Sequence, residues 1–224
     1  MEFNENPARK TNESLAEILA RHGQELPADQ VAQLENYCRL LWNWNTKLNL
    51  TRHTDFEKFF ARDLVDSRAL AELLEPGESV LDVGTGGGVP GVVLAILRPD
   101  LRLTLIDAVG KKARVVQQIV AELGLPAKVH QVRVQEHLAD HAYDTLVGRA
   151  VARLHVLLSW LAPHVGAFDR ALILKGPAWV EERQKAREAG LTKVFELRRV
   201  ARYPLAWTKA ESVILEIRPR DAHG

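Results

Sequence analysis

The glycine-rich stretch at 84–91 constrains the fold of this chain more than any other part of its sequence. It follows the apolar run 79–83, and Pro90 suits the first turn of a helix that begins there. Glycines allow a positive φ and let a ligand approach the main chain closely. In a doubly wound α/β sheet, the turn after the first strand binds an adenosine-containing cofactor. The stretch therefore predicts a strand, a ligand-binding turn and a helix in succession.

From residue 75 onward, short β-branched runs alternate with stretches of helical periodicity. The predicted strands are 79–83, 101–107, 128–133, 143–149 and 170–175, and the predicted helices are 90–97, 111–124, 153–161 and 178–189. This alternation indicates an α/β fold with a doubly wound, Rossmann-like, mostly parallel sheet. Residues 194–202 and 212–218 are two predicted strands with no helix between them, so the carboxyl-terminal strand is expected to be antiparallel.

Residues 1–74 have a different pattern and are predicted to form an N-terminal helical extension. Apolar residues recur at helical spacing over 27–48 and over 55–73, where Asp55 is a suitable N-cap. The turn sequence at 75–78 separates the extension from the predicted domain 75–224. With 46% hydrophobic residues in a chain of 224, a substantial core is expected.

Two cofactors compete for the glycine-rich turn. The spacing Gly86-x-Gly88-x-x-Gly91 fits the dinucleotide fingerprint, and Asp107 follows Gly86 by 21 residues, as a ribose-binding acid would. The other interpretation starts at Asp82, an acid followed by glycines at every second position, which is typical of S-adenosylmethionine enzymes. A tight turn that holds no ligand is a third interpretation.

Electrostatics favours S-adenosylmethionine. The carboxylate of Asp82 would repel the pyrophosphate of a dinucleotide, whereas the methyl donor carries an ammonium and a sulfonium. Pro90 also removes an amide that a phosphate could use.

Charge and cysteine content narrow the partners and the compartment. Thirty basic and 29 acidic residues give a net charge of +1, so a nucleic-acid partner requires a local basic cluster. The segment 193–209 is such a cluster, because it contains aromatic residues and the cations Lys193, Arg198, Arg199, Arg202 and Lys209. Charges on an edge strand that blocks aggregation would look the same. The apolar runs predict neither a membrane span nor a signal peptide, and Cys38 is expected in the core of a cytoplasmic protein.

Several polar residues follow predicted strands and are candidate site residues. Lys111 and Lys112 follow Asp107, while Arg149 and Lys175 end two later strands at the edge where the cofactor is expected. Arg149 needs a carboxylate or phosphate partner to lie beside a sulfonium. His137 and His141 are four apart, but no third ligand has a suitable spacing, so no metal is expected.

Read in order, these motifs resemble the GidB family of bacterial 16S rRNA guanine-N7 methyltransferases. The resemblance extends over about 34–217 and rests on Trp42-Asn43, Asn49-Leu50-Thr51, Arg62 with Asp66-Ser67, the 81–91 block, Lys111-Lys112, Arg133-Val134, Arg149-Ala150 and Leu174-Lys175-Gly176. The 81–91 block is shared with many methyltransferases, whereas the combination of Asn49-Leu50-Thr51, Arg149-Ala150 and Lys175-Gly176 is more specific.

The resemblance implies roles for individual residues. S-adenosylmethionine would contact Gly84, Thr85, Gly86, Val89, Asp107, Val134, Gln135 and Arg149, while Lys111, Lys112, Arg133 and Lys175 would serve the RNA or the cofactor. Arg198, Arg199, Arg202 and Lys209 are further RNA candidates from the basic cluster. The implied partner is 16S rRNA or the 30S subunit, bound by a monomer. Another RNA or a small molecule as acceptor, an NAD-dependent oxidoreductase and a ribosome-binding module without turnover are the alternatives.

The chain departs from the family pattern at three places. Asp63 stands where a histidine is usual, Gly148 replaces a serine, and Lys209 replaces an arginine expected just before the last strand. These changes concern substrate docking. The implied chemistry needs no general base, because guanine N7 carries a lone pair and no proton. Positioning by Arg149 and Lys175 is expected instead.

Overall fold

The computed structural model describes residues 13–204 and 211–220. The strands are β1 Ser79–Val83, β2 Arg102–Ile106, β3 Ala127–His130, β4 Tyr143–Arg149, β5 Phe168–Lys175, β6 Phe195–Pro204 and β7 Glu211–Pro219. The helices are α1 Leu15–Arg21, α2 Ala28–Asn45, α3 Phe56–Lys58, α4 Val65–Ala71, α5 Gly91–Leu97, α6 Gly110–Glu122, α7 Val134–His137, α8 Leu154–Leu161 and α9 Trp179–Glu188.

The strands form one seven-stranded sheet in the order β3-β2-β1-β4-β5-β7-β6. The first five strands are parallel, and β7 is antiparallel to both β5 and β6. The α/β class, the doubly wound order and the antiparallel carboxyl-terminal strand are thus confirmed. The strand order reverses between β1 and β4, and a crevice at such a switch point binds ligands in open α/β sheets.

Two predicted elements differ from the observed ones. The third strand ends at His130, and Arg133 is instead the N-cap of the short helix α7. The helix predicted over 55–73 begins as expected, because the Asp55 carboxylate accepts the Lys58 amide at 2.8 Å. Its central turn, however, is the π-helix Phe59–Leu64, an irregularity that is common at functional sites. Hydrophobic periodicity does not distinguish such a turn from regular helix.

The N-terminal helices and the sheet share one hydrophobic core. A single cluster of buried side chains joins Leu34 and Leu41 of α2 to Leu94 of α5 and Leu103 of β2. A second cluster on the other face of the sheet contains α8 and the inward side chains of β5 and β7. α2 also contacts the glycine-rich turn, because the Tyr37 hydroxyl donates to the Gly87 carbonyl at 2.9 Å. The helical extension therefore supports the predicted cofactor turn directly.

Candidate functional site

The turn after β1 has the backbone conformation that the glycines predicted. Gly84, Gly86 and Gly88 have φ values of 67°, 61° and 105°, which glycine adopts readily. A Cβ on Gly88 would lie 2.7 Å from a methyl of Val92, so a side chain would not fit at that position. A Cβ on Gly86 would meet nothing nearer than 3.9 Å, which leaves open space above the turn.

Asp107 lies beside this turn, as the 21-residue spacing predicts. β1 and β2 are parallel neighbours, so the turn after β1 and the end of β2 meet at the same edge of the sheet. One carboxylate oxygen of Asp107 accepts the Gly86 amide at 2.9 Å and the other accepts the Val109 amide at 2.7 Å. These bonds fix the orientation of the carboxylate, and each oxygen keeps one lone pair for a ligand hydroxyl.

Asp82 lies beneath the turn and does not face a ligand. Its side chain is fully buried, and its Oδ2 accepts the Gly91 amide at 3.0 Å. Burial raises the pKa of Asp82 to about 6, although the Thr85 hydroxyl and the Gly91 amide act in the opposite direction. Asp82 therefore supports the start of α5 from below, and its carboxylate is not exposed at the surface of the turn.

Arg149 ends β4 and is held by two buried carboxylates. Its Nη1 lies 2.6 Å from Asp63 Oδ1 and 3.4 Å from Asp66 Oδ2. Burial by itself lowers the pKa of the Arg149 guanidinium, but Asp63 and Asp66 outweigh burial, so the net shift is upward. The expected partner of Arg149 was a ligand carboxylate or phosphate, and the chain itself supplies two carboxylates.

The carboxylates connect Arg149 to distant parts of the chain. His53 Nδ1 lies 2.8 Å from Asp63 Oδ1, and the Tyr203 hydroxyl donates to Asp66 Oδ1 at 2.7 Å. Asp63, which departs from the family pattern, thus has a histidine and an arginine as partners. The network joins the N-terminal helices, the end of β4 and the β6–β7 hairpin.

A cavity of about 460 Å³ opens beside Arg149 at the carboxyl edge of β4 and β5. Its charged lining residues are Arg62, Asp66, Arg149, Arg153, Lys175 and Glu182. Lys175 is almost fully buried, and its ammonium donates to Glu182 Oε2 at 2.7 Å and to the Ala152 carbonyl at 2.6 Å. The Lys175 side chain is therefore held in a fixed position in the lining of the cavity. The backbone also bends sharply here, because Ala150 has a φ of 53°.

The remaining predicted residues fall into two groups. Those in the turn and at the starts of α6 and α7 are Thr85, Val89 and Val134, which are buried, Gln135 and Lys112, which are half-buried, and Lys111 and Arg133, which are exposed. Arg198, Arg199 and Arg202 are exposed on β6, which is separated from β4 by two strands. Lys209 lies outside the described residues.

Sequence reasoning missed the residues that hold Arg149 and shape the cavity. Asp63 and Asp66 are spaced three apart on the buried side of a helical segment, where charged residues are rare unless paired. That signal was present in the sequence, whereas no local sequence motif identified Arg153 or Glu182 as residues of the cavity. The structure also explains why position 148 has a glycine in place of the usual serine, since a Cβ there would lie 2.8 Å from a methyl of Val151.

Within residues 13–204 and 211–220, no group of three or more metal-binding side chains could hold an ion. In the same part of the chain, no helix has the length and apolar character needed to cross a membrane.

Comparisons with known proteins give the family. The model of the GidB family, rRNA small subunit methyltransferase G, matches residues 30–204. Ribosomal RNA small subunit methyltransferase G of Rhodopirellula baltica is 47% identical over 187 residues, which cover 84% of this chain and 81% of that protein. Its counterpart in Pseudomonas aeruginosa strain LESB58 is 40% identical over 166 residues, covering 72% and 78%.

Solved structures agree with the fold. TrmN from Thermus thermophilus has a TM-score of 0.54 at 17% identity, covering 70% of this chain and 49% of that one. The N-terminal domain of EvdMO1, solved in the presence of SAH and D-fucose, has a TM-score of 0.56 at 12% identity, covering 81% and 97%. The chain belongs to the GidB family, rRNA small subunit methyltransferase G, whose members are S-adenosylmethionine-dependent rRNA methyltransferases.

Proposed function

We propose that this chain transfers a methyl group from S-adenosylmethionine to N7 of a guanine in 16S rRNA, at the carboxyl edge of β1 and β4. The observation that carries the proposal is the position of Arg149, which ends β4, the neighbour of β1, and lines a charged cavity. Val151, two residues further on, packs against the glycine-rich turn at Gly84. The end of β4 thus connects the predicted cofactor turn with a cavity of suitable size for a base.

The residues around the turn fit S-adenosylmethionine. The space above Gly86 is open, and the oriented carboxylate of Asp107 can accept ribose hydroxyls. Val109 follows Asp107 and is 50% exposed, an apolar surface against which an adenine could pack. The bound cofactor supplies an electrophilic methyl group.

The protein positions the acceptor and does not deprotonate it. Guanine N7 is a nucleophile without a proton, so the site requires alignment and no general base. Asp63 and Asp66 fix Arg149 in place, and Glu182 and the Ala152 carbonyl fix Lys175. Two rigid cations therefore face the cavity, where they can hold the base and its phosphates.

Cations outside the cavity supply the contacts to the rest of the RNA. Arg62 and Arg153 lie at the cavity and are more accessible than Arg149 and Lys175, which suits phosphate contact. Lys111 and Lys112 lie in the first turn of α6 and Arg133 is the N-cap of α7, while the basic residues of β6 offer a second surface. We assign 1–74 as a helical extension and 75–224 as the catalytic domain, acting as a monomer on the 30S subunit in the cytoplasm, where the rRNA substrate is found.

The test is labelled-methyl transfer to 30S subunits that lack the modification, followed by mapping of the labelled nucleotide. We expect label at N7 of one guanine in 16S rRNA. Arg149→Met removes transfer, whereas the exposed Arg39→Gln on α2 is the control and retains it. Label confined to another RNA or to a small molecule would refute the assignment.

A further inference from the structure

Glu182 is an acidic side chain in a cavity that is otherwise suited to RNA. It lies in the first turn of α9, and its side chain is only 21% exposed. Its Oε2 accepts two short hydrogen bonds, from the Lys175 ammonium at 2.7 Å and from the Leu154 amide at 2.7 Å. Its Oε1 accepts none from any residue in 13–204 or 211–220. One oxygen of a rigid carboxylate is therefore available to a ligand.

A carboxylate beside a polyanion is unfavourable unless the ligand brings hydrogen-bond donors to it. Lys175 offsets the charge of Glu182 but occupies only Oε2. A phosphate or ribose phosphate would be repelled by Oε1. The atom instead suits a planar ligand with N–H groups, which is a nucleobase.

Guanine is the base whose chemistry matches this oxygen. Its N1–H and N2–H₂ groups are adjacent donors, whereas adenine presents an acceptor at N1 and cytosine one at N3. Both lone pairs of Glu182 Oε1 are available, so the oxygen can accept from both donors.

The layout of the sheet agrees with the orientation of such a base. Arg149 ends β4, next to β1 and the glycine-rich turn, while Lys175 ends β5, the next strand away from the turn, and its ammonium holds Glu182 there. In guanine, N7 and the N2 amino group lie on opposite sides of the ring system. A base with N7 toward the turn thus directs N1–H and N2–H₂ toward Glu182.

We propose that Glu182 is the specificity-determining residue for guanine, accepting N1–H and N2–H₂ through Oε1. This inference rests on the proposed function and adds to it how the base is distinguished. A residue that only positioned Lys175 would affect every acceptor equally, so the two roles can be separated by changing the acceptor.

The test compares guanosine with inosine, which lacks the N2 amino group, at the methylated position of 30S subunits reconstituted from ligated 16S rRNA. The ratio of kcat/KM for guanosine to that for inosine is measured for the wild type, for Glu182→Gln and for the exposed neighbour Glu181→Gln. Glutamine keeps an oxygen for Lys175 and Leu154 but presents an amide donor in place of Oε1. The Glu181 variant makes the same charge change on the solvent side of α9.

We expect the wild type and Glu181→Gln to prefer guanosine by about tenfold or more, as for a base contact of this type. In Glu182→Gln the ratio should fall to within about twofold of one, through loss of activity on guanosine. A wild type that methylates inosine as fast as guanosine overturns the inference even if the variant does not fold. An unchanged ratio in Glu182→Gln also overturns it. Absence of transfer to any guanine N7 by the wild type would instead refute the proposed function.

Discussion

Arg149 and Arg170 are two half-buried arginines on neighbouring strands with opposite surroundings. Arg170, near the start of β5, has all three of its nitrogens engaged: Nε by Thr145, Nη2 by Glu78 and the Leu73 carbonyl, and Nη1 by Glu216 at 3.7 Å. Arg149, at the end of β4, uses Nη1 alone among the described residues.

The comparison shows how similar ion pairs can serve different purposes. Arg170 closes the amino edge of the sheet, where nothing remains for a ligand. Arg149 keeps Nε and Nη2 available at the cavity, and the carboxylates hold it in position. Residual hydrogen-bonding capacity, more than burial or charge, marks the functional arginine.

Replacing each arginine with methionine tests this contrast and gives the largest expected effects. Arg149→Met removes a cation from the buried carboxylates of Asp63 and Asp66, and Arg170→Met removes one from the half-buried carboxylates of Glu78 and Glu216. Each change should cost up to about 3–5 kcal/mol of unfolding free energy. Arg149→Met should also lower kcat/KM for methyl transfer by at least about 100-fold. Arg170→Met should stay within about threefold of the wild type per folded molecule. Urea unfolding and labelled-methyl transfer measure both quantities, and equal activity losses would remove the distinction.

Asp82 extends the comparison to a buried carboxylate without an ion-pair partner among the described residues. Burial raises its pKa from 3.8 to about 6, so its protonated form is favoured in the folded state. This contribution to stability is present below pH 3.8 and is lost as the pH rises through about 6.

Asp82→Asn should remove that dependence. Relative to the variant, the wild type should lose about 2 kcal/mol of unfolding free energy between pH 4 and pH 7. Urea unfolding at several pH values measures the difference. Parallel pH profiles would show that Asp82 titrates normally in the folded protein.

Tyr203 tests whether the network around Arg149 is coupled to the β6–β7 hairpin. Tyr203→Phe removes the hydrogen bond to Asp66, with an expected cost of about 1–2 kcal/mol and a fall in kcat of less than about tenfold. Tyr143→Phe is the matched control, because its hydroxyl pairs with His137 Nε2 at 2.7 Å, outside the network. If both variants lower kcat equally, Tyr203 has no special connection to Arg149.

The exposed arginines of β6 should have the smallest effect on stability. Arg198 and Arg202 form surface pairs with Glu196 and Glu211, so the double glutamine variant should stay within about 0.5 kcal/mol of the wild type. If both contact phosphates, the slope of log Kd for 30S subunits against log salt falls by about 2. Arg39→Gln on α2 should leave the slope unchanged. If the slope is unchanged in the double variant, we would infer that these charges protect the edge strand β6 from aggregation and do not contact RNA.

Much of the fold was predictable because its signals are local. Glycine positions, β-branched runs and helical periodicity identified β1, β4 and the carboxyl-terminal hairpin. The capping box of Ser14 and Glu17 also indicates the start of α1, although the prediction for 1–74 did not identify α1 as a separate helix. The π-helical turn Phe59–Leu64 was not predictable, because hydrophobic periodicity does not distinguish such a turn from regular helix.

The sequence by itself determined the sheet, the glycine-rich turn and the place of Asp107, because these follow from backbone sterics and from the parallel register of neighbouring strands. Only the tertiary structure decided which charges meet. Arg149 pairs with Asp66 across 83 residues of chain, and Asp82 points beneath the turn instead of into it. Burial makes an unpaired charge costly, and which side chains are buried together is a property of the packed core and not of any local segment.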